Sequence, residues 1–274
     1  NLERNKLKEL PTEGLDQLAA LTKLNLSENY LVELPSQIGY LGNLGELLVN
    51  NNQLASVPGD IGHLIYLHNL QLANNKISAL PDDICYLTAL SKVKHPNLIS
   101  FFENKKKNDP PFLFIYKLVL KNNALSSLPE TVAVDEEKGW YSLTHLNLAK
   151  NKFTAMPPPL WTMEALEELN FTSNKFVSLI PMIESVNTQP SASLKEVPAE
   201  IGHLYGLRLL LLGNNEIPSL PVEISHLEAL DTLHLFFNHL EQVPDELNQV
   251  CIPHSPTSAP QHLLRKSLSS PSAT

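Results

Sequence analysis

Residues 21–31 read LTKLNLSENYL, and the same pattern returns at residues 44–54 as LGELLVNNNQL and at residues 67–77 as LHNLQLANNKI. Every copy follows the form L-x-x-L-x-L-x-x-N-x-L, with other apolar residues in place of some leucines. Together with a truncated copy at the N-terminus, NLERNKL, the chain carries nine copies. A fixed internal period of about 23 residues predicts a solenoid, in which each repeat packs only against its neighbours. The later copies start at residues 115, 143, 166, 207 and 230.

A second column follows the asparagine of each copy, where an apolar residue precedes a proline, as in Leu34-Pro35 and Leu220-Pro221. The L-x-L pair predicts a short strand with its leucines inward and the intervening side chains on the opposite, concave face. The proline fixes φ where the chain turns to the convex side, where the next segment predicts a short helix or 3₁₀ turn. Parallel strands stack about 4.8 Å apart while the convex layer is wider. The expected fold is therefore an α/β solenoid, a curved horseshoe with a parallel sheet on its concave face.

The asparagines of the pattern form a column whose side-chain amides we expect to turn inward. There they would bond backbone groups that a tight, buried turn otherwise leaves unpaired. An unsatisfied buried polar group costs roughly 1–3 kcal/mol, so replacement by leucine should damage the fold. After Asn5 in the truncated copy, the column consists of Asn29, Asn52, Asn75, Asn123, Asn151, Asn174, Asn215 and Asn238.

The consensus LxxLPxxIGxLxxLxxLxLxxNxL, which extends over residues 1–248, resembles the short leucine-rich repeats of intracellular proteins. It is similar in particular to Ras-group-related scaffolds of the SHOC/SUR-8 type. The resemblance implies a non-catalytic scaffold that binds a protein partner on its concave face in signal transduction, with a small GTPase as one candidate partner. A second hypothesis stays open, because such repeats also precede GTPase, kinase, cyclase or phosphatase domains: the chain would then be the recognition region of a larger signalling enzyme.

Composition and charge narrow the classes of function. The formal net charge of −9 argues against binding to nucleic acid, which basic patches normally mediate. The longest purely aliphatic run, residues 209–212, is far shorter than the ~20 residues of a membrane-spanning helix. The two cysteines, Cys85 and Cys251, are distant in sequence, which is typical of a reducing compartment. We therefore expect a chain in the cytoplasm, and we also expect it to be monomeric.

The sequence holds no recognisable catalytic or metal-binding pattern. H-E-x-x-H, G-x-S-x-G, G-x-x-x-x-G-K-[ST] and G-x-G-x-x-G are all absent. His63, His203 and His226 recur at one position of the repeat, which degeneracy of the repeat explains better than a metal site. We expect neither enzymatic activity nor a cofactor or metal ion.

Three breaks in the period predict insertions near residues 93–117, 130–142 and 177–194. The first would interrupt a strand, because the alignment starts that copy at Leu90 and resumes it at Leu118. Its aromatic residues suggest a partner-binding loop; the simpler alternative is a floppy insertion or an imperfect gene model. Residues 249–274 are rich in Ser, Thr and Pro and are expected to form a disordered tail, in which Ser269 is a candidate phosphorylation site.

The outward positions of the repeats predict the composition of the concave face, on which opposite charges nearly balance. Near its C-terminal end, leucines and phenylalanines stand where solvent-facing residues are expected, and such patches often mark binding sites. The alternative is that the tail caps this end, with Ile252 or Leu263 covering the phenylalanines. The candidate protein-binding residues are Leu209, Leu211, His234, Phe236, Phe237, Lys121, Lys150 and Glu168.

Overall fold

The computed structural model describes residues 1–91, 116–131, 140–174 and 197–247. Within these ranges, eight short strands form one parallel sheet in the order β1 to β8, and seven 3₁₀ helices (η) accompany them. The strands are β1 (Lys23–Asn25), β2 (Glu46–Leu48), β3 (Asn69–Gln71), β4 (Lys117–Val119), β5 (His145–Asn147), β6 (Glu168–Asn170), β7 (Leu209–Leu211) and β8 (Thr232–His234). The helices are η1 (Asp16–Leu18), η2 (Ser36–Tyr40), η3 (Gly59–His63), η4 (Asp82–Ser91), η5 (Pro158–Thr162), η6 (Ala199–His203) and η7 (Val222–His226).

The sheet keeps one register along its whole length. The central leucines pair in order, Leu24 with Leu47 and Leu47 with Leu70, and the same register continues across every later pair of strands. These central leucines are buried in β1 to β7, while most of their strand neighbours keep some exposure. The parallel sheet with short helices beside it confirms the predicted solenoid. Among the described residues, no helix is both long and apolar enough to cross a bilayer.

A proline sets the start of each regular convex helix. Pro35 has extended backbone angles, φ −67° and ψ 150°, and its carbonyl accepts a hydrogen bond from the N–H of Ile38 at 3.0 Å. The helix ends at Tyr40, and the N–H of the next residue, Leu41, donates to the carbonyl of Ile38 at 3.1 Å. Ile38 and Leu41 are fully buried. Equivalent prolines precede η3, η5, η6 and η7, so the same local geometry repeats along the convex side.

The asparagine column joins each repeat to the one before it. The Nδ2 group of Asn174 donates to the carbonyl of Leu148 in the preceding repeat, at 3.0 Å, and to that of Phe171, at 2.9 Å. Its Oδ1 accepts from the N–H groups of Asn151 and Phe153, at 3.1 and 3.3 Å. All eight asparagines from position 29 to 238 donate in the same way to the preceding repeat. The amides thus satisfy backbone groups that the buried turns would leave unpaired.

The structure places the repeats beside the first two breaks differently from the sequence alignment. Leu90 lies in η4, not before a strand, and Lys117 is the first residue of an uninterrupted β4. The repeat resumes with Tyr116, whose N–H donates to the carbonyl of His68 at 3.1 Å, so a break that extends to residue 117 reaches too far. Trp140, inside the second predicted insertion, is fully buried and takes the place that Leu41 has in another repeat.

Of the three predicted insertions, the structure describes only residues 116–117, 130–131 and 140–142; the others lie outside the described residues. The tail at 249–274 and its candidate phosphorylation site, Ser269, also lie outside them.

Candidate protein-binding surface

The concave face is formed by the first and third residue of each strand and by the two residues that precede each column asparagine. Because register is constant, these positions form four rows that run across the strands. The candidate residues lie on five neighbouring repeats: Lys121 in the repeat of β4, Lys150 in that of β5, Glu168 in β6, Leu209 and Leu211 in β7, and His234, Phe236 and Phe237 in the repeat of β8.

On β1 to β3, the polar side chains of this face form hydrogen bonds with one another. Lys23 Nζ lies 3.0 Å from Glu46 Oε2, which also accepts a hydrogen bond from Asn69 at 3.3 Å. Gln71 donates to Asn69 Oδ1 at 3.2 Å, and Asn50 donates to Gln71 Oε1 at 3.0 Å. A partner that docked here would have to displace these bonds, which makes this part of the face a poor site for an energetic hot spot.

The part of the concave face next to this network, in the truncated first copy and the repeat of β1, is charge-paired as well. The Arg4 guanidinium donates to both carboxylate oxygens of Glu28, at 2.8 and 3.2 Å. This hydrogen bond and the nearby negative charge raise the pKa of Arg4 above its ordinary value. The positive charge of Arg4 is therefore already matched within the chain.

The other end of the face carries the C-terminal cluster, defined as Leu209, Leu211, His234, Phe236 and Phe237. The ring centroids of Phe236 and Phe237 lie 5.8 Å apart in an edge-to-face arrangement, and that of His234 lies 6.0 Å from Phe236. Phe237 is 71% exposed and Phe236 is 38% exposed, while the two leucines are half-buried. Exposed aromatic side chains in contact with one another are the typical composition of a binding hot spot.

Phe236 lies directly over Gly213 of the preceding repeat. A Cβ atom at Gly213 would come within 2.5–2.7 Å of three atoms of the Phe236 ring, so only glycine allows this contact. Sequence reasoning missed this partnership. The signal was nevertheless present, because Gly213 and Phe236 stand one repeat period apart in the same row.

The residue before each column asparagine has a left-handed backbone, with φ between 53° and 61° in nine repeats. Asparagine, which tolerates this region well, holds the position in four of the nine. Phe237 holds it in the repeat of β8, with φ 53°. An exposed aromatic residue in this conformation destabilises the fold, and unfavourable residues of this kind concentrate at functional sites.

Replacing Phe237 with asparagine should raise the free energy of unfolding by about 1 kcal/mol, because the left-handed backbone suits asparagine better. Urea denaturation of the purified chain measures the change. Phe236→Ala is the matched control and should lower the same quantity, because it removes the ring that packs over Gly213. A loss of stability in Phe237→Asn would show that this ring supports the fold and would contradict a binding role.

The middle of the face is basic. Lys121 and Lys150 are exposed, and in the described part of the chain neither forms an ion pair. The carboxylate of Glu168 lies 3.5 Å from the His145 imidazole on the neighbouring strand. The lysine pair and the C-terminal cluster are separated by the repeat of β6, and Phe236 and Phe237 lie one repeat further on, beyond β7.

The histidine and cysteine side chains that could in principle bind metal ions or take part in catalysis are dispersed over the structure. His63, His203 and His226 are exposed on the convex side, and Cys85 is 3% exposed within the core. Across the described ranges, no three side chains of the kinds that bind metal ions come together.

A family model described as "Leucine Rich Repeat" matches residues 20–41 and 142–163. The leucine-rich repeat ectodomain of the Arabidopsis thaliana membrane receptor kinase GASSHO1/SCHENGEN3, solved with CASPARIAN STRIP INTEGRITY FACTOR 2, is 25% identical over 90% of this chain, with a TM-score of 0.64. The plant peptide hormone receptor RGFR1, solved with RGF2, is 25% identical over 90% of the chain, with a TM-score of 0.57. The chain spans 25% and 37% of these two receptor chains. The leucine-rich repeat domain of the type III effector XopL, 20% identical over 92% of this chain and 73% of its own, with a TM-score of 0.62, shows the fold alone.

Proposed function

Since the chain is a leucine-rich repeat protein, we propose that it is a non-catalytic scaffold that binds a protein partner on the concave face of its sheet. Solenoids of this kind present extended concave surfaces to their partners. The observation that carries the proposal is the C-terminal cluster, where Phe236 and Phe237 are exposed on the concave face. The similar structures of the GASSHO1/SCHENGEN3 ectodomain and of RGFR1 are complexes, with CASPARIAN STRIP INTEGRITY FACTOR 2 and with RGF2 respectively.

The C-terminal cluster suits a hot spot for physical reasons. Phe237 has an unfavourable backbone conformation and exposes a large apolar ring to water. A partner that buries this ring removes apolar surface from water, which contributes favourable free energy to binding. Leu209 and Leu211 extend the apolar area onto the neighbouring strand. Truncation of a central aromatic hot-spot residue typically weakens a complex by about 2 kcal/mol or more.

The consensus of the repeats supplies the rest of the proposal. Its resemblance to Ras-group-related scaffolds supports a role in intracellular signal transduction, with a small GTPase as the first candidate partner. On the same basis, we place the chain in the cytoplasm as a monomer.

A second candidate function is the recognition region of a larger signalling enzyme. The comparison that favours it is the likeness to the ectodomain of a receptor kinase, of which the chain spans 25%. The open reading frame of the full transcript separates the two candidates, because the second requires a catalytic domain in the same polypeptide.

Site-specific photo-cross-linking in cells tests the proposed function. Phe237 is replaced by p-benzoylphenylalanine, and the matched control carries the same residue at Tyr205, which follows η6 and is 60% exposed. We expect a cross-linked partner from position 237 and little from position 205, with the adduct identified by mass spectrometry. Equal yields from both positions, or adducts from position 205 alone, would overturn the assignment to the concave face.

A further inference from the structure

The concave face carries positive charge that the described chain does not neutralise. Towards the N-terminal end, Arg4 lies 2.8 Å from Glu28, and Lys23 lies 3.0 Å from Glu46. Lys121 and Lys150 follow in adjacent repeats of the sheet, both exposed and both outside the ion pairs of the described residues. This pairing at one end and its absence in the middle leave a local basic site on a chain whose net charge is −9.

Small side chains separate the lysine pair from Phe236 and Phe237. In the two intervening repeats, the same two rows hold Thr172 and Ser173, then Gly213 and Asn214. The first three have little bulk, so no large side chain in these rows stands between the ammonium groups and Phe236. A ligand can therefore lie continuously across these repeats.

The spacing of the strands fixes the length of such a ligand. Lys150 and Phe237 occupy the same row, in the repeats of β5 and β8, three strands apart. At about 4.8 Å for each step between strands, the separation is about 14 Å. An extended peptide advances about 3.3 Å for each residue, so it covers this distance in roughly four residues.

We propose that the concave face binds an extended acidic peptide segment that runs across the strands, with carboxylates on Lys121 and Lys150 and a bulky apolar side chain on Phe236 and Phe237. The acidic residue on Lys150 and the apolar residue of the segment are separated by about four positions, and the acidic residue on Lys121 lies one strand step further away. This inference rests on the proposed function and specifies the chemistry of the partner.

The chain's own C-terminal segment has the wrong charge for this surface. Residues 248–274 contain Arg265 and Lys266 and no aspartate or glutamate. Ile252 and Leu263 offer apolar side chains, but the segment has no aspartate or glutamate side chain to complement the lysine pair. Charge complementarity therefore favours a separate acidic partner over self-coverage by the tail.

A phage-displayed library of random 12-residue peptides, selected on the full chain, tests the proposal. We expect the enriched peptides to carry Asp or Glu about four positions from Leu, Ile, Met, Phe or Trp. The double variant Lys121→Glu/Lys150→Glu should bind these peptides at least tenfold more weakly and should select Lys or Arg in place of the acidic residue. The matched control, Lys76→Glu/Lys152→Glu, makes the same charge change at exposed lysines outside the four rows and should leave binding unchanged.

The outcomes separate this inference from the proposed function. Enriched peptides that lack acidic residues and bind the lysine variant normally would overturn the acidic-peptide assignment; if Phe237→Asn abolished their binding, the proposed function would stand. A library that shows no enrichment would overturn the inference as well. Peptides that bind Phe237→Asn and wild type equally would contradict the role of the C-terminal cluster in both.

Discussion

Replacement of Asn174 by leucine should lower the free energy of unfolding by about 2–6 kcal/mol, measured by urea denaturation. The side chain of Asn174 is 3% exposed and makes four hydrogen bonds to backbone groups of its own and the preceding repeat. Leucine would leave the N–H groups of Asn151 and Phe153 without this acceptor, while the carbonyls of Leu148 and Phe171 keep one asparagine donor each. Each buried group that stays unsatisfied costs about 1–3 kcal/mol, and partial rearrangement reduces the sum.

Asn5 provides a matched control in the same column. It is exposed and donates only to the carbonyls of Leu2 and Glu3 within its own copy. Asn5→Leu should therefore change the free energy of unfolding by less than about 1 kcal/mol, because water can replace the lost bonds. Equal effects of the two substitutions would show that burial and bonding across repeats do not account for the column.

Replacement of Trp140 by alanine should lower the free energy of unfolding by about 3–5 kcal/mol. Trp140 is fully buried, and its indole N–H donates to the carbonyl of Ile84 at 3.3 Å, across 56 residues of sequence. The substitution removes the largest fully buried side chain, leaves a cavity and removes the indole donor from that carbonyl. Circular dichroism is the suitable probe of unfolding, because the substitution also changes the fluorescence.

Trp161 is the control for this prediction. It is only partly buried at the edge of the core, so Trp161→Ala should cost about 1–2 kcal/mol. If the two alanine variants were equally stable, Trp140 would contribute no more to stability than a partly exposed residue. Its placement in the core, at the position that Leu41 has in another repeat, would then be wrong.

The regular part of the fold could be predicted because each repeat carries the same short pattern of apolar residues, asparagine and proline. Leu24, Leu47 and Leu70 stand one period apart and pair directly in the sheet, so the period in sequence becomes the register in space. The breaks could not be placed in the same way. In an alignment, Leu90 counts as much as any leucine of the consensus. In the structure, the repeat instead resumes at Tyr116, whose N–H donates to the carbonyl of His68. Trp140 was missed because a tryptophan replaces the leucine of its column.

The composition of the concave face could also be predicted, because strand alternation fixes which side chains face outward. Two features of the C-terminal cluster depend on three-dimensional contacts instead. The position of the Phe236 ring over Gly213 requires the distance between neighbouring repeats. The left-handed backbone of Phe237 could have been suspected, because asparagine holds the equivalent position at 51, 74, 122 and 214.

The repeat that bears Phe237 is also less completely packed than its neighbours. Leu233 and Leu235 keep partial exposure, whereas Leu210 and Leu212, their counterparts one repeat earlier, have none. In a linear array, where each module gains stability from its neighbours, a weakly packed module opens more readily than the rest. Partner binding and local folding are therefore coupled at this repeat, because a segment bound to Phe237 also holds a weakly packed module in its folded state.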